Sequence, residues 1–446
     1  MKIVIGVHHF PPRYTGGAEW QAFRTARELR VRGHEVRVVC VEHVDRGPAS
    51  GVDWQDDVYE GVPVRRLSFD WRLAPEPRVF EYRNPWVGEH LRGWLAEERP
   101  DVFHLFSGYL LTGMALYAAD ELAIPSVVTL TDFWFLCPRI SMLQSNGQVS
   151  RPPIDPARCA QCLGEERRSF RWLGRLLPGP MATYWHLRHD LVNHIEARLA
   201  YLHSALNLAA KIISVSRFVR NLHVEAGFSS EKIIYLRQGF DVQHLKPEVI
   251  TKASSRQLRV GYIGQIAELK GVHVLIEAAR QIDDPRLSVR LYGNAQRFPA
   301  YTARLRRLIG NDSRIQFAGE YRSAAELTQV MRDLDVIVVP SLWYENSPNV
   351  ILEAFAHRTP VIASDFGGMA ELVQHEHNGL RFALGDAASL AGQLKRLLTE
   401  PDLLPRLRAG IGPVKTVAEE TDGLEAIYQE VLAERTGDRL RRTAVV

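Results

Sequence analysis

No apolar run in this 446-residue chain approaches the roughly 20 residues needed to cross a bilayer, which argues against a membrane-spanning protein. Cysteine is scarce. The four residues Cys40, Cys137, Cys159 and Cys162 are too few to suggest a disulfide-stapled scaffold. The opening Met1-Lys-Ile-Val-Ile-Gly-Val7 is too short for a secretory leader and runs straight into a proline- and glycine-containing loop, so it reads as a strand. An excess of one charge is missing too. With 55 Lys and Arg against 52 Asp and Glu, the net charge of +3 is too mild to argue for a nucleic-acid partner. Neither glycine-bearing loop carries a G-x-G-x-x-G fingerprint, which argues against a nicotinamide-dependent oxidoreductase. No Asp-x-Asp pair stands in a suitable loop, so a metal is not required. A cytoplasmic enzyme long enough for two cores is the expectation that remains.

What is present alternates in the manner of an α/β protein. Lys2–Val7 is a buried strand, followed by the loop His8–Glu19. A helix follows with Ala22, Phe23, Ala26 and Leu29 on one face, ended by Gly33, and then a strand over 36–41. Gly16 and Gly17 before that helix let backbone come close to a ligand, although tight turns also use glycine. Strands are predicted over 101–106 and 125–130, then near 211 and 233. Beyond the second of these stand Thr131 and Asp132, where open sheets bind ligands. Asp132 has two equal readings, a partner for a sugar or acceptor hydroxyl and a cap on the turn that follows. Cys40 reads as core. A polar stretch over about 242–257 reads as a linker. Strands near 258, 287, 315, 335 and 361 then repeat the alternating pattern.

Two carboxylates flank a helix start in the second half. Ser347 is placed to cap, Pro348 to take the first helical position, and Val350, Ile351, Ala354 and Phe355 to form the apolar face. The amides of Asn349, Val350 and Ile351 would then point at whatever lies in front, a position that suits phosphate. Glu345 precedes this start and Glu353 follows it. Acids on either side of a diphosphate are better placed to accept from hydroxyls than to meet phosphate, and hydroxyl–diphosphate–hydroxyl describes a nucleotide sugar. The plain alternative is a solvated helix glutamate and a loop charge.

The spacing Glu345-x7-Glu353, with Asn349 and Val350 inside it and Gly367-Gly368-x-x-Glu371 beyond, resembles the retaining GT-B glycosyltransferases of family 4 (glycosyl transferases group 1). The resemblance is strong over 258–395 and mostly organisational over 1–240. It implies two Rossmann-like domains with a donor/acceptor cleft between them. These are an acceptor-side domain over 1–242 with an insert at about 137–200, a nucleotide-sugar domain over 258–416, and a helix and tail over 417–446 crossing back to the first domain. It further implies donor contacts from Gly264, Lys270, Asn349, Val350, Glu353, Gly367 and Gly368, with Gly16 and Gly17 facing donor diphosphate and acceptor. Glu345 would orient sugar hydroxyls, and Lys270, Glu345 and Asp132 would carry the chemistry. Two positions depart from the family pattern. Gln265 stands where an arginine is usual and cannot supply its charge or fork, and Thr131 stands where a histidine is usual.

The implied reaction moves a sugar from a nucleotide-diphosphate donor to a saccharide or lipid-linked saccharide in surface polysaccharide synthesis, with no cofactor. The alternatives are a sugar-nucleotide epimerase of the same architecture and a donor-binding protein with impaired catalysis. In the insert, Cys159-x-x-Cys162 with Cys137 upstream is a weak candidate for structural zinc, with His186 or His189 as a fourth ligand. Arg167–Leu177 mixes arginine with Phe170, Trp172, Leu173, Leu176 and Leu177. It reads first as an amphipathic helix packed on the first domain and second as a peripheral contact at the inner face of a membrane.

Overall fold

The computed structural model describes residues 1–242, 245, 255–321 and 323–443. The expected linker lies for the most part outside the described residues. Two compact units emerge: Met1–Gln238 joined by the helix Val417–Thr443, and Gly239–Thr416.

The first unit is built on eight strands: β1 (Lys2–Val7), β2 (Glu35–His43), β3 (Asp53–Tyr59), β4 (Val62–Ser68), β5 (Val102–Phe106), β6 (Ser126–Leu130), β7 (Lys211–Ser214) and β8 (Ile233–Tyr235). They lie in the order β3-β4-β2-β1-β5-β6-β7-β8. Only the hairpin β3/β4 is antiparallel. The central strand β1 is buried from Ile3 to Val7, as an unbroken apolar run must be when helices cover both faces. At the sheet's edge β3 is largely exposed and carries Asp53, Asp56 and Asp57, charges that discourage further strand pairing. Leu424, Ile427, Tyr428 and Val431 of the terminal helix join Ile3, Ile5, Phe23 and Phe106 in this unit's core. The helix is also fixed by a polar contact. Within the sheet, His104 Nδ1 meets the Tyr428 hydroxyl at 2.6 Å and its Nε2 meets Thr129 Oγ1 at 2.7 Å.

The second unit has six strands: β9 (Leu258–Ile263), β10 (Leu287–Tyr292), β11 (Ile315–Gly319), β12 (Val336–Val339), β13 (Val361–Ser364) and β14 (Gly379–Phe382). Their order is β11-β10-β9-β12-β13-β14, and the pairings are all parallel. In each sheet the strand order reverses beside its first strand, between β1 and β5 and between β9 and β12. Helices depart to opposite faces there, leaving a crevice at the strands' carboxyl ends where open α/β sheets bind ligands.

Tyr428→Phe removes the partner of a fully buried imidazole nitrogen. It is expected to destabilise the first unit by about 1–3 kcal/mol, read from the shift in denaturant midpoint at unchanged slope.

Candidate functional site

In the second unit the loops after β9, β12 and β13 meet at one residue, Glu345. Glu345 is buried, and its Oε1 accepts from Lys270 Nζ at 2.6 Å, Ser341 Oγ at 2.8 Å and Trp343 Nε1 at 2.8 Å. A buried carboxylate is costly unless its lone pairs are used, and three donors on one oxygen offset that cost. The Lys270 ammonium also lies 4.9 Å from the centre of the Trp343 ring, a cation–π contact. Lys270 ends the short 3₁₀ turn Glu268–Lys270, which Gly271 closes with φ of 69°. A Cβ on Gly271 would sit 1.9 Å from the Pro340 carbonyl oxygen, so only glycine lets the two loops approach this closely. The Leu342 amide then donates to the Leu269 carbonyl at 2.9 Å and ties the loops together. The third loop joins in the same way. Gly368 N–H donates to the Glu345 carbonyl at 2.8 Å, and a Cβ there would lie 2.0 Å from the Asn346 carbonyl oxygen. Tyr344 stacks on Phe366 at 4.4 Å beside it.

Gly264 lies at the end of β9. Exposed Gln265 follows it, and the Gln265 carbonyl accepts from the Tyr262 hydroxyl at 2.6 Å. Lys270, Glu345, Gly367 and Gly368 are thus brought into one cluster, with Gly264 and Gln265 on the loop that carries Lys270. Ser341 and Trp343 were not singled out from sequence, because nothing in their spacing marks them as donors to Glu345. The helix begins one residue later than expected. Pro348 is extended (ψ 120°) in the capping position, Asn349 is the first helical residue of Asn349–Ala356, and no side chain caps it. The Ile351 amide is taken by the Pro348 carbonyl at 3.0 Å, so the turn is closed by backbone and Ser347 is not the cap. Asn349 and Val350 stay at the helix start. Glu353 is half-buried in its second turn, near enough to Tyr321 that burial and the Glu353 charge together push that phenol up. The Asn346 side-chain oxygen, on the same loop, is buried with no hydrogen-bond partner.

The first unit has its own cluster at the ends of β1, β5 and β6. Gly16 precedes the helix Gly17–Val31, and a Cβ on it would lie 2.5 Å from a Glu19 carboxylate oxygen. Glu19 is buried, with Oε1 3.5 Å from His8 Nε2. Burial works to raise the Glu19 carboxyl, but hydrogen bonding and charge from His8 outweigh it and hold the group below its usual range. Asp132 accepts from the Trp134 amide at 2.9 Å, so it does cap the following turn. Burial pushes its carboxyl up despite help from Ser107 and His8. His8 and Glu19 were missed as a pair because the helix start, not their spacing, brings them together. Beside Asp132, Thr131 Oγ1 is buried and unpartnered, as is His8 Nδ1.

The cysteine triad does not fit zinc. Among the described residues no group of three or more His, Cys, Asp or Glu is arranged to hold a metal ion. Cys162 Sγ instead accepts from the Arg139 guanidinium at 3.3 Å, and a cation there disfavours a second one. Burial pushes the Cys159 thiol up to about 12 and raises Cys137 as well. A cavity of about 690 Å³ in the second unit, lined by Leu287, Asp312 and Arg314 among others, opens at the opposite ends of the strands from the loop cluster.

The sequence matches the model of "Glycosyltransferase Family 4" over residues 15–244 and that of "Glycosyl transferases group 1" over 257–400. The chain belongs to glycosyltransferase family 4. Relatives include the amylovoran biosynthesis glycosyltransferase AmsK of Erwinia amylovora, 26% identical over 46% of this chain and 52% of that protein. A GDP-mannose-dependent alpha-mannosyltransferase of Mycolicibacterium smegmatis is 27% identical over 98% of this chain and 99% of its own. Several other matches are partial, and the chain spans about half the length of the curated relatives concerned. Among solved structures, Anabaena HepE in complex with UDP and glucose superposes with a TM-score of 0.63 at 19% identity, covering 96% of this chain and 99% of that one. The shared fold is the two-unit parallel α/β architecture of GT-B glycosyltransferases.

Gly271→Ala and Gly368→Ala each drive a methyl into a backbone carbonyl. Each is expected to weaken nucleoside-diphosphate binding at least about tenfold by displacing loop groups by an ångström or less. Calorimetric titration checks this, with circular dichroism unchanged and Gly392→Ala, which meets open space, as the neutral control.

Proposed function

We propose that this protein is a retaining glycosyltransferase that moves a sugar from a nucleotide-diphosphate sugar to a saccharide or lipid-linked saccharide acceptor in surface polysaccharide synthesis. The carrying observation is the convergence of Lys270, Glu345 and the Gly367–Gly368 loop on the crevice between β9 and β12. Lys270 supplies positive charge, and the helix start at Asn349 and Val350 supplies backbone amides. Together they suit a diphosphate that gains charge as the glycosidic bond breaks. Gln265 adds donors without charge, which leaves Lys270 as the principal cation of this reading. Glu353 accepts from the ribose diol. Glu345 holds Lys270 through Oε1, and Oε2, which has no hydrogen bond among the described residues, is left to accept from a sugar hydroxyl. The unpartnered Asn346 oxygen offers a further acceptor for that sugar.

On the acceptor side, Asp132 and the Gly16–Gly17 loop approach the hydroxyl that attacks. In a front-face displacement the bond from the anomeric carbon to the phosphate oxygen breaks as the bond to the acceptor oxygen forms on the same face. The acceptor proton passes to the departing diphosphate. The protein then contributes chiefly by position and electrostatics. The polysaccharide role is supported by the relative named for amylovoran biosynthesis, and the donor class by the HepE complex with UDP and glucose. A second reading, donor binding with impaired catalysis, is favoured by Gln265 and by the unpartnered Thr131 hydroxyl.

The test supplies UDP-, GDP- and ADP-sugars with saccharide acceptors and measures nucleotide release and the anomeric configuration of the product. Glu353→Ala is expected to weaken donor binding about tenfold or more. Lys270→Ala is expected to lower kcat by about 10²–10³ with a smaller change in KM. Donor binding without nucleotide release would support the second reading. Conversion of donor alone to a new sugar nucleotide would indicate an epimerase, and unchanged activity in both variants would remove the assignment.

A further inference from the structure

The helical insert carries a surface that transfer chemistry does not use. Between Arg167 and His189 the sequence holds five arginines, Arg167, Arg168, Arg171, Arg175 and Arg188, and no acidic residue. The helix Arg168–Leu176 sends Phe170 and Leu173 inward onto a small core of Ala160, Met181, Trp185 and Leu191. That core is tightly closed, since a Cβ on Gly164 would lie 2.0 Å from the Trp185 ring. The other side of the helix is bare. Trp172 is 62% exposed and Leu176 57%, and just beyond them Leu177 is 52% and Leu187 61% exposed. The expectation of an ordinary packed amphipathic helix therefore covers only one of its two apolar faces.

The acids that precede the segment do not neutralise it, although Asp190 just beyond it pairs with Arg188 at 3.0 Å and removes that one arginine from the excess. Glu165 is buried, bonded to Ser145 Oγ and accepting from Gln161 Nε2 at 2.8 Å. Glu166 lies 3.1 Å from Arg139. Exposed tryptophan and leucine in a stretch whose sequence holds Arg167, Arg168, Arg171 and Arg175 match the chemistry of a headgroup–acyl boundary rich in anionic lipid. A second copy of this chain is a poorer occupant, because a symmetric contact would set arginine-rich faces against each other. Among the described residues no helix is long and apolar enough to cross a membrane.

We propose that the insert docks the protein peripherally on an anionic phospholipid surface through Trp172, Leu176, Leu177 and Leu187. The contact stands apart from the donor chemistry, because lipid binding is read without any sugar transfer.

The test is co-sedimentation of the full chain with vesicles of phosphatidylcholine alone or with about one-third phosphatidylglycerol. Attraction of several basic residues is expected to favour the anionic vesicles at least about tenfold, with the preference lost near 0.5 M salt as screening shortens to a few ångströms. Trp172→Glu/Leu176→Glu is expected to lower binding at least about tenfold while leaving nucleotide release in solution unchanged. Leu187→Glu serves as a second variant should the first misfold. Absence of binding to anionic vesicles, equal binding to both vesicle types, or a concentration-dependent dimer abolished by the same substitutions would each overturn the proposal.

Discussion

A single carboxylate oxygen in the second unit, Oε1 of Glu345, receives an ammonium, a hydroxyl and an indole N–H, and so ties the loop after β9 to the loop after β12, while the Glu345 backbone carbonyl receives the loop after β13. The interaction is possible only because backbone gives way at two points. Gly271 lets the Lys270 turn close against the end of β12, and Gly368 lets the loop after β13 press on Asn346. Backbone bonds from Leu342 to Leu269 and from Gly368 to Glu345 join the loops. Joined, they hold a lysine beside the place where the strand order reverses, which is where a parallel sheet leaves room for a ligand. The paired state also keeps Lys270 from being an uncompensated half-buried cation before any phosphate arrives.

The first unit shares the reversal of strand order beside its first strand but lines it with different chemistry. Its crevice between β1 and β5 holds His8, Glu19 and Asp132 rather than a lysine, and Gly16 again gives way so that a carboxylate can fold beneath the loop. The first edge pairs carboxylates with an imidazole, and the second pairs carboxylates with a lysine and helix amides. That division suits a hydroxyl-bearing acceptor and a diphosphate-bearing donor held by separate units.

Much of this was legible in the residues. The unbroken apolar runs of β1 and β12 mark buried parallel strands. The Glu345–Glu353 spacing and the position of Lys270 point to the loops that do converge. The hairpin β3/β4 escaped because Asp53, Asp56, Asp57, Arg65 and Arg66 interrupt its apolar alternation at the sheet's exposed edge. The helix start was misplaced by one residue because Pro348 suits both the capping position and the first helical turn, and only its ψ separates them. His8 with Glu19, and Ser341 and Trp343 with Glu345, are pairings made by tertiary folding and carry no periodic signal. The contact of Arg139 with Cys162 is likewise invisible in the Cys-x-x-Cys spacing.

The most direct measurement is calorimetric titration of UDP, GDP and ADP into the wild-type protein and into Glu345→Ala. If the Glu345 carboxylate holds the Lys270 loop in register, at least one nucleotide binds the wild type, and its affinity falls at least about tenfold in the variant while circular dichroism is unchanged. Equal affinity in the two proteins, or no binding of any of the three to the wild type, would contradict the account.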